Sequence, residues 1–534
     1  MRTPSPLLLA FSLSISLFAT PTLAQRVTDT KTNPKQNPKT YTTTVLILGA
    51  GMTGITAAGS LANELNITDF LILEARNEIG GRMQNTKIGS TTIELGANWI
   101  QSLGTNPIWA LAQKYHVKNT PSIWSDIDYF TGDGWEGPGG RLQEAMDRFG
   151  EQVFHKASIE AGRREQLGLP DLSMRAGLRL AGWTPLTSEE FTAEYFYHDW
   201  EMGETPVESG FIGTINSHNE TFIESGSDEN NLCVDPRGFK QIIVGQAAEI
   251  DGFDGKLHLN EVVETIEYNG QGVTVTTKDG AIVYAKYALC TFSLGVLQHD
   301  DVKFVPPLPE WKQEAYAQGH MSTYTKIFAK FPHKFWNSTQ FTVYADPDER
   351  GYWPVWQSLD EEGFAPGSHV YFATLTSDQA YRAERKTNAE VQAEFMSVLR
   401  DMYGPDIPDP IEFKFPRWTL DPLFRGSFSA WGAGVTQKQQ DDMREAIGGS
   451  SNSDLEKRLF FAGEHTSRNW FGYLQGAYWE GRMAAHNLAD CLLRKCVEQP
   501  STAFVKRWAM DSQESKSGKQ GPQVPRRKRR RMWA

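Results

Sequence analysis

From Thr43 to Leu48 the chain reads TTVLIL, a β-branched and apolar run that predicts a strand buried on both faces in a parallel sheet. A helix-like segment extends to about Glu64, and a second apolar run, FLILEA, closes on Glu74 and Ala75. The pattern changes at VVETIEYNGQGVTVTTKDGAIVYAKYALCTF, from Val262 to Phe292, where apolar positions recur with period two and Asn269-Gly270 and Asp279-Gly280 mark turns. That predicts a three-stranded antiparallel meander. YTKIFAKF predicts another strand, with Tyr324, Lys326, Phe328 and Lys330 on one face and Ile327, Ala329 and Phe331 on the other. NAEVQAEFMSVLRDMYG, from Asn388, is helical in pattern. Near the C-terminal end a short buried strand, Leu459 to Ala462, precedes a long helix from about Gly472. No internal repeat is visible.

Two glycine clusters interrupt these elements. Gly49-Ala50-Gly51-Met52-Thr53-Gly54 joins the first strand to the first helix. In such a G-x-G-x-x-G turn the first glycine makes the bend, the second lets backbone approach a pyrophosphate, and the third packs helix on strand. The helix N-terminus then turns unpaired N–H groups toward the phosphates. Glu74 stands where a carboxylate accepts hydrogen bonds from an adenine ribose. This much suits NAD and FAD alike. The second cluster, Gly80-Gly81-Arg82, favours FAD, because two glycines let the chain pass close beside an extended cofactor and Arg82 adds a cation for its phosphates. The Gly463-Glu464 turn, expected at the carboxyl edge of the same sheet, adds a third contact.

With 534 residues, 40% of them hydrophobic, the chain can bury a large core and is expected to divide into two domains. A net charge of -12 argues against nucleic acid as a partner and suits attraction of small cations. Four cysteines, Cys233, Cys290, Cys491 and Cys496, do not form a disulfide framework, although Cys491 and Cys496 can pair if the helix carrying them ends between them. No cysteine and histidine spacing suggests a metal. Residues 1–24 read as a secretory signal peptide: Arg2, an apolar core from Leu7 to Phe18, then TPTLA before the cleavage point. The expectation is a secreted protein without a transmembrane segment. Asn66, Asn219 and Asn337 begin glycosylation triplets. RRKRRR, Arg526 to Arg531, ends a polar tail over 505–534 that is expected to be solvated.

GAGMTGI, EARNEIGGRM, ELGANWI, SLGVLQ, YTKIFAKF and FAGEHTSRNWFGYLQGAYWEGRMAA occur in that order, and together the chain resembles the FAD-dependent amine oxidases, most of all the polyamine oxidases, from roughly Thr43 to Leu493. The resemblance implies an α/β fold with a Rossmann-like FAD-binding domain of the p-hydroxybenzoate hydroxylase type. That domain would include the meander and be assembled from 43–110, 225–300 and 455–495. An α+β substrate-binding domain would come from 111–224 and 301–454. Cofactor contacts are implied for Gly49, Gly51, Gly54, Glu74, Ala75, Gly81, Arg82, Gly96, Ala97, Asn98, Trp99, Val262 near the adenine, Trp431, Gly463, Glu464, Gly472 and Tyr473.

For the reaction, Lys326 matches the family's lysine that holds a water near the flavin N5, and Tyr473 and Trp431 match aromatic positions flanking the ring. Gln101 stands where plant polyamine oxidases carry glutamate and animal and yeast relatives histidine; it can hydrogen-bond an amine without neutralising it. Glu204 in WEMGETP matches a second carboxylate of the substrate tunnel, with Glu201 as the alternative alignment. RGSFSAWGAG has no cysteine where monoamine oxidases bond their flavin, so FAD is expected to be noncovalent. The resemblance implies oxidation of spermine or spermidine with dioxygen and release of hydrogen peroxide; the oligomeric state is open, with a monomer favoured. A general amine oxidase, an L-amino-acid oxidase and a flavin-bearing interaction protein are the alternatives. An L-amino-acid oxidase needs an arginine clamp for the substrate carboxylate.

Overall fold

The computed structural model describes residues 39–448 and 457–493. The expected signal peptide, the polar tail with its arginine cluster, and Cys496 lie outside them. Thr40–Leu48 is a central strand, flanked in parallel by Phe70–Glu74 on one side and Ile282–Cys290 on the other. Its burial follows from its composition, because Val45 to Leu48 are covered on both faces. The predicted meander is present: Val263–Asn269, Gly272–Thr277 and Ile282–Cys290 pair antiparallel in succession.

Ile282–Cys290 forks. Residues 282–285 pair with the meander, whereas Ala288, Leu289 and Cys290 pair in parallel with Leu459, Phe460 and Phe461. With Leu257–Leu259, which pairs in parallel with Phe70–Glu74, five parallel strands therefore end together, at Leu259, Glu74, Leu48, Cys290 and Phe461. Ligands of open α/β sheets bind at such an edge. Lys303–Val305, expected in the second domain, pairs in parallel with Thr265 to Glu267 and extends this nine-stranded sheet. Its backbone satisfies ladder groups that the outer meander strand would otherwise leave open.

The first helix, Met52–Gly59, is almost wholly buried and continues as a π-helical turn, Ser60–Glu64. It packs on Leu474–Leu492 at glycine contacts, since a Cβ on Gly481 would lie 2.3 Å from the Thr53 carbonyl oxygen. A second sheet of seven strands takes Tyr324–Lys330 near one edge and Ile127–Thr131 near the other. One face of its central strands packs on the helix Asn388–Tyr403, and the helices between Arg141 and Phe222 build a separate aromatic core against Phe341, Val343 and Val355. Cys233 and Cys290 are free and buried, and Cys491 is disulfide-bonded. Among the described residues no helix is long and apolar enough to cross a membrane.

Candidate active site

The carboxyl edge of the large sheet opens into one continuous cavity. At its sheet end the walls are backbone. Gly49 bends at φ +108°, where a Cβ would strike Thr291 Oγ1 at 2.5 Å. A Cβ on Gly54 would lie 2.0 Å from the Gly49 oxygen, so this residue closes the helix onto the strand and does not line the cavity. Gly51 is different: a Cβ there would meet only Gly81 Cα, at 3.8 Å, and would point into open space. The two glycine clusters thus lie in close backbone contact, since a Cβ on Gly81 would come within 3.2 Å of Gly51 Cα, and together they form a cavity wall that carries no side chain. Gly80 N donates to the Ala50 carbonyl at 2.9 Å and holds them in register. Glu74 turns from its strand end to accept from Ala50 N at 2.8 Å and Arg76 N at 2.9 Å.

Arg82 lines this cavity, but its charge is already matched. Its Nη1 lies 2.8 Å from Glu464 Oε1 and 3.0 Å from the Ser427 carbonyl oxygen. Glu464 also accepts from Ser429 Oγ at 2.5 Å and Gly472 N at 2.7 Å. Burial alone would raise its pKa; the Arg82 guanidinium and the other donors hold it below the usual range. Arg82 therefore ties the second glycine cluster to the C-terminal turn. It is not the free cation its place in the motif suggested.

Away from the sheet the cavity becomes a chamber of side chains: Trp99, Trp124, Trp200, Tyr324, Phe428 and Tyr473 line it. Lys326 enters from the strand Tyr324–Lys330 with 1% of its surface exposed. Its Nζ donates to the Gly96 carbonyl at 2.5 Å and lies 5.7 Å from the Trp99 ring centre. Burial lowers its pKa, and Glu94 opposes that shift. Opposite stands Glu201, which accepts on one oxygen from Tyr473 Oη at 2.8 Å and Gln101 Nε2 at 3.3 Å. Burial pushes its pKa up to about 7 against those two donors.

Besides Gly54, two expected site residues lie outside the cavity. Glu204 is buried outside the cavity, accepting from Ser377 Oγ at 2.5 Å and pairing with His320 Nε2 at 2.5 Å. The cause is local: after the short helix Trp200–Met202, Gly203 at φ +73° reverses the chain and turns Glu204 from the chamber. Glu201, the alternative alignment, is the acid that lines the chamber. Trp431 packs on Phe471, 5.6 Å between ring centres, and on Gly213, where a Cβ would meet its ring at 2.3 Å. Phe428, three residues earlier, lines the cavity in its place. The other expected cofactor and substrate residues, from Gly49 to Tyr473 and including Gln101, Val262 and Lys326, line it.

Glu201 is held from behind. A π-helical turn, Tyr195–Asp199, leads into its helix. Arg350 clamps Asp199 at 2.7 and 2.9 Å and reaches Glu194 at 2.8 Å, and Arg175 bonds Glu194 with both nitrogens at 2.5 Å. YFYHDWE carried a signal for this placement: an aromatic-rich helix delivering one acid among rings.

A parallel sheet with a glycine cradle at its carboxyl edge, continuous with a water-excluding aromatic chamber, defines a dinucleotide-dependent oxidoreductase. The flavin containing amine oxidoreductase profile matches residues 52–489, and the chain belongs to that family. It is 35% identical over 480 residues to polyamine oxidase 1 of Zea mays, covering 84% of this chain and 91% of that protein. It is also 35% identical over 462 residues to polyamine oxidase 7 of Oryza sativa subsp. japonica, covering 82% and 93%. A putrescine oxidase solved with putrescine bound shares the fold at a TM-score of 0.68 and 17% identity, over 84% of this chain and 99% of that one. The protein is an FAD-dependent amine oxidase. Its residues fit that cofactor: the wall at Gly51 and Gly81 carries no side chain and lets an extended pyrophosphate lie close to backbone, and the helix Met52–Gly59 has no acidic residue in its first turn to repel one.

Proposed function

We propose that the protein is a secreted polyamine oxidase that oxidises a carbon beside the secondary amine of spermine, spermidine or their acetylated forms. The products are an aminoaldehyde, an amine and hydrogen peroxide. One observation carries this reading: a single buried carboxylate, Glu201, stands inside an aromatic chamber and offers one oxygen free of protein donors, since Tyr473 and Gln101 both bond the other. That oxygen suits a substrate ammonium, and the rings around it favour cations and exclude water.

Bound FAD supplies the acceptor for the hydride equivalents removed from the carbon next to nitrogen. Protein groups orient and deprotonate. Glu201 anchors one amine, Tyr473 and Trp99 flank the alkyl chain, and Lys326 holds a proton-exchanging position in the opposite wall. Noncovalent attachment of FAD is supported by the absence of any cysteine among the residues lining the cavity. The L-amino-acid alternative lacks its clamp: the arginines at the cavity, Arg76 and Arg82, pair with Glu78 and Glu464. A general amine oxidase remains the second reading, favoured by Gln101, which leaves the chamber one carboxylate where the plant pattern has two.

Secretion rests on the pattern over 1–24, and the exposed Asn66 and Asn337 are accessible for glycosylation. Asn219 is not, because it lies in the helix Phe211–Phe222 with Thr221 buried. The deciding experiment is peroxide release with spermine, spermidine, their acetylated forms, a monoamine and an L-amino acid, with mass spectrometry of the products. Equal turnover of the monoamine would overturn the polyamine assignment. N-terminal sequencing of the exported chain tests cleavage after Ala24.

A further inference from the structure

Glu94 ends the strand Thr91–Glu94, two residues before the carbonyl that receives Lys326. It is buried, and its two oxygens are unlike. Oε1 accepts from Phe239 N at 2.7 Å, whereas Oε2 is enclosed and has no hydrogen-bond partner. A buried, unpartnered carboxylate oxygen is costly unless a charge answers it. The cations acting on Glu94 are Lys326 and Lys240. Lys240 is already paired with Glu78. Lys326 is nearly inaccessible and has one oxygen acceptor, the Gly96 carbonyl, for its three N–H groups. Glu94 acts on it across space, beyond ion-pair contact, from two residues before the carbonyl that Lys326 bonds, and opposes the effect of burial. Around Glu94 there are also Asp235, paired with Arg237, and the buried thiol of Cys233.

We propose that Glu94 is a positioning residue for Lys326: its carboxylate is the counter-charge that keeps the lysine protonated inside a water-excluding chamber. The electrostatic balance supports the pairing from both ends, since burial drives each group toward its neutral form and the partner's charge opposes it. The inference rests on the role given to Lys326 in amine oxidation, but the pairing can be read without substrate.

The test is a double-mutant cycle of Glu94→Gln and Lys326→Met in the FAD-loaded protein. Glutamine keeps an acceptor for Phe239 N–H and removes only the charge. Thermal unfolding should fall markedly in Glu94→Gln and much less when the same change is made in Lys326→Met, because no uncompensated ammonium then remains. Independent of that, the inflection in the pH profile of flavin reduction that Lys326→Met abolishes should move to lower pH in Glu94→Gln, by about one unit or more, and return in Glu94→Asp. Additive unfolding shifts with an unmoved inflection would overturn the proposal. If Glu94→Gln alone does not fold, the double variant decides: recovery supports the pairing, and failure overturns it. The unfolding readout separates a failure of this pairing from a failure of the polyamine reading.

Discussion

The two ends of the cavity are built from different materials. At the sheet edge, Gly49, Gly51, Gly80 and Gly81 shape the wall with backbone alone, and the arginine of the second cluster, Arg82, is paired with Glu464. In the chamber, position depends on side chains delivered by segments far apart in the chain: Trp99 to Gln101, Trp124, Trp200 and Glu201, Tyr324 to Lys326, Phe428, and Phe471 to Tyr473. The first end recognises by what it leaves out. The second recognises by what it inserts, so a shift of a few residues along the chain changes its chemistry.

The difference is broken most completely at Gly51. Gly51→Val should abolish FAD retention, since a branched side chain would cover the backbone wall that Gly51 shares with Gly81; yellow purified protein would disprove this. At the other end Lys326→Met should keep FAD and slow flavin reduction on the order of a hundredfold, as loss of a proton-handling group does. Rapid mixing with spermine measures it, and reduction at the wild-type rate would make Lys326 structural.

The same contrast explains what could be read from the sequence. Strand, glycines, helix and Glu74 lie within one short stretch, so their spacing alone implied the turn, the close approach and the carboxylate that the structure contains. The meander was equally legible, because period two and paired Asn-Gly and Asp-Gly turns are local signals. Glu201 and Glu204 differ by three positions, and only the left-handed Gly203 between them decides which faces the chamber. Trp431 and Phe428 are separated by the same interval, with the aromatic wall formed by the residue the motif left unremarked. The pairing of Arg82 joins residues far apart in the chain, which no spacing rule anticipates.

Smaller changes sharpen the comparison within the chamber. Glu201→Gln should raise the Michaelis constant for spermine about tenfold more than for a monoamine; one close ion pair is worth about 4 kcal/mol at an effective dielectric near 20, less the desolvation of both charges. Glu204→Gln should leave those constants unchanged and lower the melting temperature, because it breaks the buried contact with His320. Equal effects of the two variants on spermine binding would return Glu204 to the tunnel.

The Glu201 proton gives a pH signature of its own. Its folded pKa of about 7 lies above the ordinary value of 4.5, so the folded state holds the proton more tightly. Stability from this group is complete below 4.5 and is lost as pH rises to about 7 and beyond, a slope that Glu201→Gln should remove. Polyamine affinity should move oppositely, improving as pH rises through about 7 and the anion forms. The smallest effect is expected at Trp431. Its Nε1 has no partner, so Trp431→Phe sacrifices no hydrogen bond; unfolding should record about 1–2 kcal/mol of lost packing while flavin reduction is unchanged.

The fork in Ile282–Cys290 sets an order of assembly during synthesis. This strand needs Thr40–Leu48, made early, and Lys457–Phe461, made almost last, before its carboxyl end is paired on both sides. The Arg82–Glu464 tie and the helix Leu474–Leu492 arrive later still. A ribosome must therefore deliver the chain through the helix Leu474–Leu492 before the cradle has its final wall, so flavin capture waits on that late segment.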